Sequence, residues 1–164
     1  MYAKRTEENK ALLRRYKVEI LNSRDLDALG EVAAVDYVDH AAFPNQAPGL
    51  EGLKQRAATL FAALDPHWTI HDIVAEEDIV VLRWSHTGVH RGEFLGTPPT
   101  GRSFTMRGID IYRVANGKMV EHWNVVDMFG FYEQVGLIPQ PAGGQDKDEL
   151  SGRRRDAAPE LRSA

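Results

Sequence analysis

The chain contains no cysteine. A disulfide scaffold, a thiolate metal centre and a cysteine nucleophile are therefore excluded, and a reducing cytoplasm is the simplest home. Long apolar runs are missing too: none approaches the ~20 residues that cross a bilayer, and Met1 to Lys10 is polar, without the hydrophobic core of a secretion signal. No membrane partner is expected. Basic charge is not in excess, with 20 Lys plus Arg against 24 Asp plus Glu and a formal net charge of -4. Without an electrostatic footprint for phosphate backbones, nucleic acid is not an expected partner. Gly-x-Gly-x-x-Gly, the phosphate-cradling Gly-Lys-Ser/Thr loop, Gly-x-Ser-x-Gly and His-Glu-x-x-His are all absent, which removes the simplest nucleotide, serine-hydrolase and zinc-protease readings.

What is present divides into two halves. In the first, Leu13, Tyr16 and Ile20, backed by Leu12 and Leu21, predict a helix over 7–22 with Thr6 as its cap. Leu26, Leu29 and Val32 fit a second short helix, followed by a loop from about Asp36. Leu53, Ala57, Leu60, Phe61 and Leu64 then share one stripe of a third helix over 50–64, ended by Asp65-Pro66. From Trp68 the period becomes extended. Strands are predicted over 68–75, 79–90, 103–115 and 118–127, the last two joined by Asn116-Gly117, the strongest short hairpin signal because a type I′ turn needs positive φ at both positions. Phe129, Tyr132 and Val135 suggest a last short helix. Residues 1–140 form one predicted domain. From 141 to 164 the composition turns to charge, Gly and Ser, with Leu150 and Leu161 the only large apolar groups, so a disordered tail is expected. Helices first and strands later mean α+β, a curved antiparallel sheet wrapped on N-terminal helices.

A two-residue turn sets the register of the last hairpin. Without a bulge, Met106 opposes Asp127, Gly108 opposes Val125 and Asp110 opposes Trp123 on one face. Large apolar groups, a side-chain gap and two carboxylates read as a pocket wall. Asp127 is either a general base there or the cap of the helix that follows. Asp110 needs a partner if buried, for which His40, Arg107 or Arg113 are candidates. Trp84, His86 and His90 alternate along one strand, so one face receives all three. Trp84, Trp123, Phe61 and Met106 would set the shape of a hydrophobic or aromatic small molecule, and His86 or His40 would donate to an oxygen that gains charge. His86 and His90, like His67 and His71, are four apart, which on a strand separates side chains by about 13 Å. No metal ligation is expected from either pair. Ile109, Ile111 and Val126 fall on the opposite face, which the helices cannot also cover, so a homodimer is expected there.

Tyr37-Val38-Asp39-His40, the run Gly88 to Gly96, Pro99-Thr100-Gly101-Arg102, Tyr112-Arg113, and Asn116 to Trp123 with Asp127 four residues on resemble the SnoaL-like polyketide cyclases in order and spacing, from about Lys10 to Pro139. The resemblance implies the cone-shaped α+β barrel of the nuclear-transport-factor-2-like superfamily. It also implies closure of a polyketide ester ring by intramolecular aldol condensation without a metal or organic cofactor. Asp127 takes the place of the family's base, His40 that of a histidine binding substrate oxygens, and Asp110 stands near a further family histidine. The superfamily also hosts epoxide hydrolases and proteins that only bind ligands, so ester or epoxide hydrolysis and a non-catalytic binding domain are the competing readings.

Overall fold

Leu13, Tyr16, Ile20 and Leu21 bury one stripe of the first helical segment, which is α-helical over Tyr2–Arg14 (α1), π-helical over Arg15–Ile20 and α-helical again over Leu21–Ser23 (α2). The computed structural model describes residues 2–139, so the expected tail lies outside the described residues. The helix begins four residues before the expected cap, and Thr6 is buried within it. In the wider π turn two successive residues, Tyr16 and Lys17, both lie buried. Such turns are often found at functional sites.

After α3 (Leu29–Val32) the chain enters β1 (Ala33–Asp39), where a loop was expected from Asp36. This strand pairs in parallel with a partner some eighty residues later, through Ala33 with Met119 and Asp39 with His122. No local pattern reports so distant a pairing. Helix α4 (Gly49–Leu64) follows and stops where Asp65 takes a φ of 46°. Next come β2 (His67–Glu76), β3 (Ile79–Val89), β4 (Ser103–Ala115), β5 (Lys118–Val126) and α5 (Met128–Gln134). The sheet order is β1-β5-β4-β3-β2, a curved sheet whose two outer strands do not pair with each other. The main core lies between its inner face and α1 to α4, and Phe94, Phe104, Met106, Phe131 and Val135 form a smaller cluster beneath α5. Among the described residues no helix is long and apolar enough to cross a membrane.

One local feature corrects the expected register. Ala115 pairs with Lys118 and Val114 with Met119, as the turn requires, but Arg113 then pairs with Glu121, so Val120 is an extra residue in β5. A bulge of one residue exchanges the two faces for the rest of the strand. Asp110 therefore faces Asn124 and Ile111 faces Trp123. His122, Asn124 and Val126 turn inward, while Trp123, Val125 and Asp127 leave the inner face. The inner face of β4, with Met106, Gly108, Asp110 and Tyr112, is as expected. A side chain at Gly108 would collide with the Trp84 ring, so glycine lets that ring lie across the sheet.

Candidate active site

Between the helices and the inner sheet face lies a cavity of about 70 Å³. Its apolar wall includes Leu53, Trp68, Trp84, Phe94, Met106 and Met128, and its polar end carries Lys17, Tyr37, Arg56, Asp110, His122 and Asn124. It approaches the surface at Leu95, which is 43% exposed. Among the described residues, six buried side-chain polar atoms lack a hydrogen-bond partner, and five belong to this lining: Tyr37 Oη, Trp84 Nε1, His86 Nδ1, Asp110 Oδ1 and His122 Nε2. Unmet polar atoms are costly in a dry interior. Concentrated around one cavity, they describe a site shaped for a polar ligand group.

Two carboxylates organise the polar end. Asp39, from the end of β1, accepts from His122 Nδ1 at 3.0 Å, from Gln46 Nε2 at 3.0 Å, from the Ala41 amide at 3.0 Å and from Arg56 at 3.3 Å. Burial alone would push its carboxyl up, but the His122 hydrogen bond and the Arg56 charge outweigh burial and hold it well below the usual carboxylate range. Asp39 is therefore an acceptor only, and His122 Nδ1 must carry the proton. Nε2, on the other side of the ring, lies 3.6 Å from Asp110 Oδ1. Asp110 is 1% exposed and accepts from Lys17 Nζ at 2.6 Å and from Tyr112 Oη at 3.0 Å. Burial again opposes ionisation, but the Lys17 charge and the neighbouring His122 outweigh it, so this carboxyl too sits below its ordinary value. Tyr112 stacks on His122 with ring centres 4.6 Å apart, which fixes the imidazole plane.

The expected site residues separate into three groups. Asp110, Trp84, His86 and Met106 line the cavity. The His86 ring is stacked on Trp84 at 5.5 Å, and burial, followed by the Lys17 charge, lowers its pKa to about 3, so it is polar but uncharged at neutral pH. Phe61 and His90 lie behind the lining: Phe61 meets Trp68 edge-to-face at 6.2 Å, while fully buried His90 follows the end of β3, with Nδ1 3.2 Å from Thr100 Oγ1 and its ring against Phe131. Asp127, His40 and Trp123 lie outside the cavity. Asp127 Oδ1 accepts the Gly130 amide at 2.8 Å and caps α5, an arrangement that follows from the Val120 bulge. His40 stacks on Trp123 at 4.7 Å, with Nε2 3.1 Å from Glu121, and its side chain is 40% exposed. The partner of Asp110 is Lys17, none of the three expected residues His40, Arg107 and Arg113.

Five polar residues of the site went unread: Lys17, Tyr37, Asp39, Arg56 and His122. Lys17 had a legible signal, since Leu13, Lys17 and Leu21 fall four apart and place a cation in line with a buried stripe. His122 had none, because its facing depends on the bulge. Among the described residues no group of three or more His, Asp or Glu is arranged to hold a metal ion.

An α+β fold whose curved sheet and helices enclose a mostly apolar cavity with one polar end defines a class of small-molecule-binding and catalytic domains. Within that class, the model of the SnoaL-like polyketide cyclase family matches residues 11–135, and the chain belongs to this family. It is 30% identical over 135 residues to the aklanonic acid methyl ester cyclase DnrD of Streptomyces peucetius, an alignment covering 79% of this chain and 92% of that protein. Over 148 residues it is 30% identical to the aklanonic acid methyl ester cyclase DauD of Streptomyces sp. strain C5, covering 87% and 91%. Among solved structures, TsrD from Streptomyces laurentii superposes with a TM-score of 0.74 at 26% identity, covering 80% of this chain and 97% of that one. Wild-type IdmH from Streptomyces antibioticus gives 0.68 at 34% identity, covering 78% and 98%.

Proposed function

We propose that the protein closes a carbon ring in a polyketide ester or related small molecule by intramolecular aldol addition, with His122 as the general base. The observation that carries this reading is the His122 ring itself: Nδ1 is committed to Asp39, and Nε2 is buried, unpartnered and on the cavity. A base whose tautomer is set by a carboxylate is the arrangement that proton abstraction requires. Nε2 takes the proton from a carbon flanked by two carbonyls, the resulting enolate carbon attacks a second carbonyl in the same molecule, and the new alkoxide takes the proton back. Atoms are conserved, so product and substrate are isomers. The scheme uses only the chain's own groups. Tyr37 Oη and Trp84 Nε1 are unmet donors on the wall, suited to the oxygen of the carbonyl under attack. General-base catalysis contributes about 10² to 10⁴-fold, and holding the chain folded for closure supplies the rest.

A polycyclic ester is larger than the cavity, since drug-sized ligands occupy roughly 300 Å³ or more. Entry requires the edge-to-face contact of Phe43 with Phe94, 5.7 Å between ring centres, to open together with Leu95. The test is incubation with a panel of polyketide methyl esters, aklanonic acid methyl ester among them, read by chromatography and mass. A product of unchanged mass and new retention is expected. A product heavier by one water, or lacking its ester methyl, would replace cyclisation by hydrolysis. Binding without any product would leave a ligand-binding domain.

A further inference from the structure

Lys17 is a buried amine that the base reading leaves unused: burial pushes its pKa down, and the Asp110 carboxylate beside it works against that and favours the ammonium. Its side chain is 7% exposed, its Nζ donates to Asp110 at 2.6 Å, and it lies 4.8 Å from the centre of the Trp84 ring, 5.7 Å from Tyr16 and 5.9 Å from Trp68. An ammonium has three N–H donors, of which Asp110 takes one. Ring faces attract the charge without meeting those donors as an oxygen would. Asp110 likewise has an unmet Oδ1. Charges removed from water are expected to be fully partnered, and a buried pair with capacity left on both members is arranged for a third component.

Charge counting identifies that component. Lys17 and Arg56 balance Asp39 and Asp110 around the cavity. Moving a proton from a bound carbon acid to His122 creates one new cation and one new anion. The imidazolium is already provided for, with Asp39 Oδ1 at 3.0 Å from Nδ1 and Asp110 Oδ1 at 3.6 Å from Nε2. The anion is provided for in one place, beside the unmet donors of Lys17.

We propose that Lys17 is a catalytic residue whose free N–H donors hold the oxygen on which the enolate charge develops, making the site selective for enolisable 1,3-dicarbonyl groups. The assignment rests on reading the cavity as an enolising site. In the step, the C–H bond between the two carbonyls breaks and its proton goes to His122 Nε2. Its electron pair becomes the new C=C bond, and the carbonyl π pair moves onto the oxygen facing Lys17. Asp110 acts as a positioning residue, fixing the ammonium and receiving the imidazolium.

Benzoylacetone, an aryl 1,3-diketone whose enolate absorbs at longer wavelength than its neutral forms, tests this without turnover. Its spectrum is titrated against pH with the wild-type protein, with Asp110→Asn, and with the double variant Lys17→Met, Asp110→Asn, which replaces the pair by neutral groups of similar size. Binding is followed by tryptophan fluorescence and folding by cooperative unfolding. The wild type is expected to lower the apparent enol pKa of the bound probe by about one unit or more, a ten-fold shift in ionisation. Asp110→Asn, which takes the counter-charge from Lys17, is expected to weaken the enolate band, and the double variant to lose it while still binding the probe. Equal enolate fractions in wild type and double variant overturn the assignment, as does failure of the wild type to bind the probe. A wild type that ionises the probe but cyclises no ester sinks ring closure and leaves Lys17 assigned. One that cyclises esters while the double variant ionises the probe equally sinks Lys17 and leaves ring closure.

Discussion

Asp39 and His122 are partners twice over: their Cα atoms are paired in the parallel β1–β5 ladder, and Asp39 Oδ1 accepts a 3.0 Å hydrogen bond from His122 Nδ1. Backbone pairing therefore delivers the orienting carboxylate to the imidazole. Asp39→Asn replaces an acceptor by an amide that can donate to Nδ1, which would place the proton on Nε2 and abolish the base. Turnover of any identified ester is expected to fall by about 10² to 10⁴-fold with the KM changed only a few-fold. Wild-type turnover in this variant would remove His122 from the base role.

Asp127 is expected to matter for stability and not for rate. Asn caps helices about as well as Asp, so Asp127→Asn should melt with the wild type, whereas Asp127→Ala should lose about 1 kcal/mol in chemical denaturation. Both should turn over substrate within a few-fold of the wild type, because the side chain is on the α5 amides, outside the cavity. A 10²-fold loss in Asp127→Asn would return the base to this residue.

His86 gives the fold an acid-sensitive point. Its imidazole is held neutral down to about pH 3, whereas in the unfolded chain it binds a proton near its ordinary value of 6.5. Below that value the unfolded state holds one more proton than the folded state, so the contribution favouring folding shrinks as pH falls, by about 1.4 kcal/mol per unit at most. Asp39 and Asp110, with lowered pKa values, keep their contribution down to the ordinary carboxylate range and lose it below. Urea midpoints measured from pH 7 to pH 5 should therefore decline less steeply in His86→Phe than in the wild type. Parallel slopes would contradict the burial of a neutral imidazole.

The outer sheet face is expected to pair with a second copy. Ile109 opposes Val125 and Ile111 opposes Trp123, and Val125 is 76% exposed. Apolar side chains set side by side on a sheet make a contiguous patch of the kind that finds a partner. Val125 takes the place expected for Val126 because of the bulge. Sedimentation at micromolar concentration should give a dimer, and Val125→Glu should shift it to the 18.4 kDa monomer. A wild-type monomer would refute the pairing.

The sequence alone determined the elements whose evidence is local. Helical spacing from Leu53 to Leu64 placed α4, Asn116-Gly117 placed the β4–β5 hairpin, and the alternation of Met106, Asp110 and Tyr112 identified the inner face of β4. Motif order identified the family. Tertiary structure decided what depends on distant partners. β1 is a strand because it adds to β5, eighty residues away, a pairing with no signature in Ala33 to Asp39 themselves. Lys17 is tolerated in an apolar stripe because Asp110, from the far side of the core, meets its charge. Above all, one unpaired residue, Val120, exchanged the faces of β5 and brought His122 and Asn124 inward in place of Trp123 and Asp127. Side-chain facing along a strand has a period of two, so a single inserted residue reverses every assignment beyond it, and nothing in the residues around Val120 announces that the insertion is there.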